Sequence, residues 1–115
     1  MIKKFHLRSM PTAQCHVEIF IDDIGYVKEV RLVSYTTTIL SVQHHQCDAD
    51  IKVNYPVNCS ATTARHVNRF TTELFGTNEY HKLKRLGVGC TLRMDGCAVC
   101  ISDFCNKYQC YGKKW

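Results

Sequence analysis

The first regular pattern in the chain is an alternation of apolar and polar side chains from Cys15 to Ile21. A period of two residues is that of a β-strand with one buried face, so this segment predicts a strand. The Asp-Asp-Ile-Gly stretch at residues 22–25 follows directly. It predicts a turn, because Asp can bond to its own backbone and Gly accepts a positive φ.

Residues 26–42 are rich in Val, Tyr, Thr, Ile and Leu. This composition is typical of strands, and the stretch is too long for one straight strand, so it predicts one bent strand or two consecutive strands. A polar turn is predicted at residues 43–49. Residues 50–55 predict a further strand, which ends near Pro56 because proline has no N–H to donate to a neighbouring strand.

Helical periodicity follows the strands. Ser60 is a good N-cap, Ala61–Phe75 keeps one apolar side, and Gly76 stands where a left-handed residue is needed at a helix C-terminus. At 100° per residue the apolar side faces inward, and Arg65 and Arg69 face solvent. A shorter second helix is predicted at about residues 78–86.

Strands followed by helices predict an α+β fold. We expect an antiparallel sheet of three or four strands, packed on one face by one main helix and a shorter second helix, with a Cys-rich C-terminal tail. In this prediction residues 1–88 form the α+β domain, and residues 89–115 form the tail packed on it.

The composition is that of a globular protein, with 45% hydrophobic residues in 115. The basic start of the chain lacks the apolar run of a signal peptide, and no stretch approaches the eighteen or so apolar residues that span a bilayer. The sequence therefore predicts a cytoplasmic protein without a membrane partner. It leaves the oligomeric state open.

The net charge of +5 lies entirely in the second half of the chain. Residues 1–64 carry six basic and six acidic side chains, whereas residues 65–115 carry nine basic and four acidic ones. Such asymmetry favours an acidic partner. The residues predicted to bind this partner are Arg65, Arg69, Lys82, Lys84, Arg85 and Trp115.

Five of the eight cysteines lie in the last 26 residues, spaced Cys90-x6-Cys97-x2-Cys100-x4-Cys105-x4-Cys110. A short segment with few apolar side chains buries little surface, so cross-links or a metal are expected to hold it together. Because thiols stay reduced in a cytosol, the sequence favours zinc bound by Cys97, Cys100, Cys105 and Cys110. Disulfides and free structural thiols are the alternatives.

Other groups of cysteine and histidine residues give weaker evidence for a functional site. A redox Cys-x-x-Cys lies at a helix start after a strand, and no βαβ pattern precedes Cys97, so this use is disfavoured. The His44-His45-x-Cys47 stretch is better explained as a polar hairpin tip than as a metal site. A nucleophile and base pair of Cys59 and His66 is not required by their spacing, and we expect no enzymatic activity.

Two stretches carry a resemblance: Ser-Tyr-Thr-Thr at residues 34–37 and Ser-Ala-Thr-Thr-Ala-Arg-His-Val-Asn-Arg-Phe at residues 60–70. Together they resemble a small domain family of unknown function that is encoded by phages and prophages. In that family a Ser-Tyr-x-Thr strand leads through a hairpin to a helix that opens with a Ser-Ala-Thr-Thr-x-x-His-hydrophobic-Asn-x-Phe pattern. The resemblance covers about residues 30–75 and brings no catalytic residues.

The resemblance implies an accessory protein of a phage or mobile element. Accessory proteins of this size bind and modulate host proteins, including defence proteins, so the expected role is to bind and modulate a host macromolecule, and inhibition of a host defence protein is one form of it. The sequence favours a host protein over nucleic acid as the partner. The alternative function is that of a zinc-dependent nucleic-acid-binding module.

Overall fold

The structure, a computed structural model, describes residues 1–11 and 14–112, with side chains as far as residue 108. In the described residues the chain forms six strands and three helices. The elements in chain order are β1 (Ile2–Phe5), β2 (Cys15–Ile21), β3 (Val27–Ser34), β4 (Thr37–His45), β5 (Asp48–Val53), α1 (Ala61–Phe75), α2 (Tyr80–Leu86), β6 (Thr91–Met94) and α3 (Ala98–Gly112).

The six strands form one sheet in which every strand pairs antiparallel with its neighbour in the order of the chain. The α+β class is therefore confirmed, and the prediction of three or four strands was wrong. β1 and β6 were missed because each has four residues and places only two side chains on each face. β6 also lies in the segment assigned to the tail.

The long strand-like stretch at residues 26–42 contains a hairpin. β3 and β4 are joined by a turn at Tyr35 and Thr36, and Tyr35 has a φ of 58°. The polar turn predicted at residues 43–49 is shorter than expected, because β4 continues to His45 and β5 begins at Asp48. Gln46 supplies the left-handed residue of that second turn, with a φ of 57°.

The hydrophobic core lies between one face of the sheet and the helices. Rows of paired residues cross this face, and each contains a buried side chain from four consecutive strands. One row contains Val17, Leu32, Leu40 and Val53, and the next contains Ile19, Val30, Val42 and Ile51. Phe70 of α1, Leu83 of α2 and Ile101 of α3 pack in the same core.

The first helix is the best-predicted element. Its bounds, its N-cap and its C-cap are all confirmed: Ser60 Oγ accepts the Thr63 N–H at 3.1 Å, and Gly76 adopts a φ of 79° and donates its N–H to Thr72. The second helix is also confirmed, although it begins at Tyr80 rather than at residue 78. Only the third helix was absent from the prediction.

Residues 89–112 of the predicted tail supply β6 and α3. On α3 the side chains of Ile101, Phe104 and Tyr108 are buried in the same core as the sheet. The Tyr108 ring stacks on Phe5 of β1 with a centroid separation of 4.3 Å. Apolar contacts with the rest of the fold therefore hold this segment in place.

The Tyr108 hydroxyl joins three parts of the fold. It accepts the Arg8 N–H at 3.0 Å and donates to the Glu73 carboxylate on α1. Hydrogen bonds to charged groups contribute about 1.5–3 kcal/mol, so we expect Tyr108→Phe to lower the free energy of unfolding by that amount in urea denaturation. Tyr26→Phe is the matched control, because Tyr26 is exposed, and a similar loss in both variants would contradict this account.

Candidate functional site

Five of the six residues predicted to bind a partner lie on α1 and α2. All five are exposed: Arg65 and Arg69 on α1, and Lys82, Lys84 and Arg85 on α2. We call these five residues the basic helical surface. The two helices are linked by residues 76–79. The sixth predicted residue, Trp115, lies outside the described residues.

The two acidic residues in the 61–86 region, Glu73 and Glu79, make their hydrogen bonds inside the fold. Glu73 accepts the Ser9 N–H at 3.1 Å and hydrogen bonds from the hydroxyls of Ser9 and Tyr108. Burial raises a carboxyl pKa, but these hydrogen bonds outweigh burial and hold the pKa of Glu73 below its usual range. Glu79 is buried beneath Lys82, whose Nζ lies 3.4 Å from a carboxylate oxygen of Glu79.

This arrangement leaves most of the basic helical surface without compensating charge from the described residues. Glu73 lies four residues from Arg69 on the same helix, a spacing that allows an ion pair, but it bonds to Ser9 and Tyr108 instead. Among the described residues, only Lys82 of the five basic residues makes an ion pair. Exposed cations without partners are available to an acidic ligand.

A cleft that the sequence did not indicate opens between β3 and β4. The two strands pair from Ser34 opposite Thr37 to Val30 opposite Val42, and the cleft lies past the end of this pairing, beside α3. The resulting open space has a volume of about 770 Å³. Its polar lining includes Lys28, Glu29, Gln43, His44, Ser102 and Asn106.

The cleft depends on how two strands diverge, so no local sequence pattern predicts it. Burial raises the pKa of Glu29, but hydrogen bonds from Arg31 and Gln43 outweigh burial and hold that pKa below its usual range. Glu29 therefore keeps its charge, and Lys28 lines the same space with the opposite charge. Charges of both signs in an open cleft do not select one class of ligand.

The four cysteines predicted to bind zinc are spread along α3. Cys97 precedes the helix, Cys100 lies in its first turn and Cys105 is buried in the core. Cys100 and Cys110 are ten residues apart in one helix, a rise of about 15 Å at 1.5 Å per residue. The side chain of Cys110 lies outside the described residues, so the predicted set of four zinc ligands stays a prediction.

No group of three or more His, Cys, Asp or Glu side chains suited to a metal occurs in the described part of the chain. The cysteines with described side chains are all free thiols. They are Cys15, Cys47, Cys59, Cys90, Cys97, Cys100 and Cys105.

Cys59 and His66 do not form a nucleophile and base pair in this structure. The Cys59 thiol bonds to Thr63 Oγ1 at 3.3 Å, and Nδ1 of the buried His66 lies 2.9 Å from Ser34 Oγ. Burial, assisted by the charge of Arg65, lowers the pKa of His66. Residues 34–37 and residues 60–70 thus meet in a buried Ser34–His66 hydrogen bond.

The His44-His45-x-Cys47 stretch is the polar hairpin tip that the sequence favoured. His44 and His45 end β4, Cys47 lies in the turn, and all three are exposed. The adjacent Cys97–Cys100 pair meets one condition for a redox motif but not the other, because β6 pairs antiparallel with β5 and no βαβ unit precedes the pair. β6 ends at Met94 and α3 begins at Ala98, so these cysteines do lie at a helix start that follows a strand.

No family model, curated protein or solved structure matches this chain. The similarity of residues 30–75 to a phage-encoded family therefore stays a prediction. None of the helices in residues 1–11 and 14–112 is long and apolar enough to cross a membrane.

Proposed function

We propose that this chain is a non-enzymatic accessory protein that binds an acidic surface of a host protein through the basic helical surface. The observation that supports the proposal is the uncompensated charge of α1 and α2. Four of the five basic side chains there make no ion pair within the described residues, and both acidic residues of the region bond inside the fold. Such a surface attracts an acidic partner and orients it.

The face of the sheet that the helices do not cover differs in charge from the basic helical surface. Its basic residues are close to acidic ones: Arg93 makes two hydrogen bonds to Asp50, at 2.8 and 3.0 Å, and Arg31 pairs with Glu29. Lys4 lies 3.7 Å from Glu18 on the same face. These pairs neutralise the sheet locally, so the excess positive charge is concentrated on the helices.

The position of the aromatic side chains favours a protein over single-stranded nucleic acid. Nucleic-acid grooves commonly combine basic residues with aromatic rings on which bases stack. The exposed tyrosines of the described chain, Tyr26, Tyr35 and Tyr55, lie outside α1 and α2. Among the described residues, the basic helical surface therefore has no exposed tyrosine, and Tyr80 of α2 is partly buried.

The accessory role is part of the same proposal. It is supported by the resemblance of residues 30–75 to a phage-encoded family, and it makes the partner a protein of the host cell. We propose that binding modulates that protein, with a defence protein as the target to be inhibited.

The proposal is tested by reversing the charge of Arg65, Arg69 and Lys84 together to Glu. We expect capture of the partner from a nuclease-treated host lysate to weaken on the order of tenfold or more, because steering and orientation are lost. The measurement is quantitative mass spectrometry of proteins retained by immobilised chain. The matched control reverses Lys4, Lys28 and Lys52 on the sheet, which changes the net charge equally.

Two outcomes contradict the proposal. Equal loss of capture in both triple variants would show that net charge, rather than the basic helical surface, governs retention. Capture that disappears after nuclease treatment, with binding that falls steeply with salt, would show that the ligand is nucleic acid.

A further inference from the structure

Cys97 and Cys100 form a pair of neighbouring thiols at the start of α3. The backbone closes a tight turn around them, because Cys97 donates its N–H to Met94 at 3.2 Å and Cys100 donates its N–H to Cys97 at 3.0 Å. The two residues therefore share one tight turn, and both are free thiols.

Two contacts with the β4–β5 turn fix the position of this pair. Ala98 donates its N–H to the Cys47 carbonyl at 2.9 Å, and Gly96 donates its N–H to Asp48 Oδ1 at 2.8 Å. Gly96 has a φ of 71°, which a residue with a side chain would adopt at a cost. The thiols are therefore presented from a rigid junction between β6 and α3.

The pair is accessible, unlike the other cysteine of α3 with a described side chain. Cys97 and Cys100 are both partly exposed, whereas Cys105 is buried, and burial raises the pKa of Cys105 to about 12. A buried thiol of that kind is inert toward disulfides. The thiols that can react are therefore those of Cys97 and Cys100, at the start of α3.

We propose that Cys97 and Cys100 are a redox-active dithiol, which exchanges with disulfides of low molecular weight and closes to an intramolecular disulfide. The spacing suits this reaction, since residues three apart around a helix start lie close enough for a disulfide. The proposal concerns a site that the basic helical surface does not include, so it stands or falls independently of the binding function.

The exchange proceeds in two balanced steps. The Cys97 thiolate attacks one sulfur of the disulfide R–S–S–R, which forms a mixed disulfide and releases one R–S⁻. The Cys100 thiol then loses its proton to water and attacks the Cys97 sulfur, which releases the second R–S⁻. The small disulfide is reduced to two thiols, and the protein dithiol is oxidised with the loss of two hydrogens.

The experiment uses the full chain, reduced, desalted and treated with oxidised glutathione. Free thiols are then alkylated, and the products are mapped by proteolysis and mass spectrometry. We expect a bridge between Cys97 and Cys100 in the native chain, and a glutathione adduct on Cys97 that accumulates in Cys100→Ser. Cys90→Ser is the matched control, because it removes an exposed thiol and should leave the bridge unchanged.

Three results would overturn the proposal. The first is alkylation of both Cys97 and Cys100 after treatment, which shows that no bridge forms. The second is a bridge from Cys97 to another cysteine in preference to Cys100. The third is protection of both thiols in the untreated native chain that a chelator relieves, which would assign them to a metal.

Discussion

Phe104→Ala is expected to lower the free energy of unfolding by about 3–5 kcal/mol, the usual range for truncating a buried phenylalanine. Phe104 is 2% exposed and lies where α3 meets both β1 and α1. Its ring centroid is 6.1 Å from that of Phe5, 6.3 Å from that of Phe70 and 4.8 Å from that of Tyr108. Removing the ring leaves a cavity lined by three aromatic side chains, and urea denaturation followed by circular dichroism measures the loss.

Val99→Ala is the matched control on the same helix. Val99 is 59% exposed, so its truncation should change stability by no more than about 0.5 kcal/mol. The unfolding of Phe104→Ala should remain a single transition, because α3 shares one core with the sheet. A separate early transition of residues 89–112, with the sheet unaffected, would show that this segment is a dependent tail after all.

The stripe that buries α3 was present in the sequence. Ile101, Phe104, Cys105 and Tyr108 follow the i, i+3, i+4, i+7 spacing of an amphipathic helix. The density of cysteines suggested that disulfides or a bound metal hold this segment together. A buried cysteine, however, also acts as a small apolar side chain. Counting Cys105 as apolar completes the stripe and predicts the helix.

Sequence alone predicted those elements whose signals are local. α1 and α2 follow from capping residues and helical period, and β2 from alternation over seven residues. The hairpin turns were harder to place, because Tyr35 and Gln46 adopt left-handed conformations that usually belong to Gly, Asn or Asp. Their positions follow from strand pairing across the sheet rather than from turn chemistry.

The basic helical surface was predictable in part. Helical period placed Arg65 and Arg69 on the solvent side of α1, and the structure agrees. Their lack of ion-pair partners was not predictable, since it depends on Glu73 bonding to Ser9 and Tyr108, residues 64 and 35 positions away in the chain. The local i, i+4 rule favoured Arg69 as the partner of Glu73, and tertiary contacts overrode that rule.

His66→Ala is expected to lower the free energy of unfolding by about 2–4 kcal/mol near pH 7.5, because it opens a cavity and leaves the Ser34 hydroxyl without its partner. His66 is 2% exposed, and its Nδ1 lies 2.9 Å from Ser34 Oγ. Thermal or urea denaturation measures the loss. His81→Ala, which removes an exposed histidine from α2, should change stability by no more than about 0.5 kcal/mol.

The difference between the native chain and His66→Ala should shrink as the pH falls below about 6.5, the ordinary pKa of histidine. Burial lowers the pKa of His66 in the fold, so below that pH the unfolded chain binds a proton that the native state does not. The native chain therefore loses stability from about pH 6.5 downward, toward the lowered pKa, whereas the variant lacks this titration. Carboxyl groups with lowered pKa values change the stability only at more acidic pH, below about 4.5. These groups are Glu29, Asp50 and Glu73. A constant difference between native chain and variant across this range would show that His66 is not held neutral by its buried position.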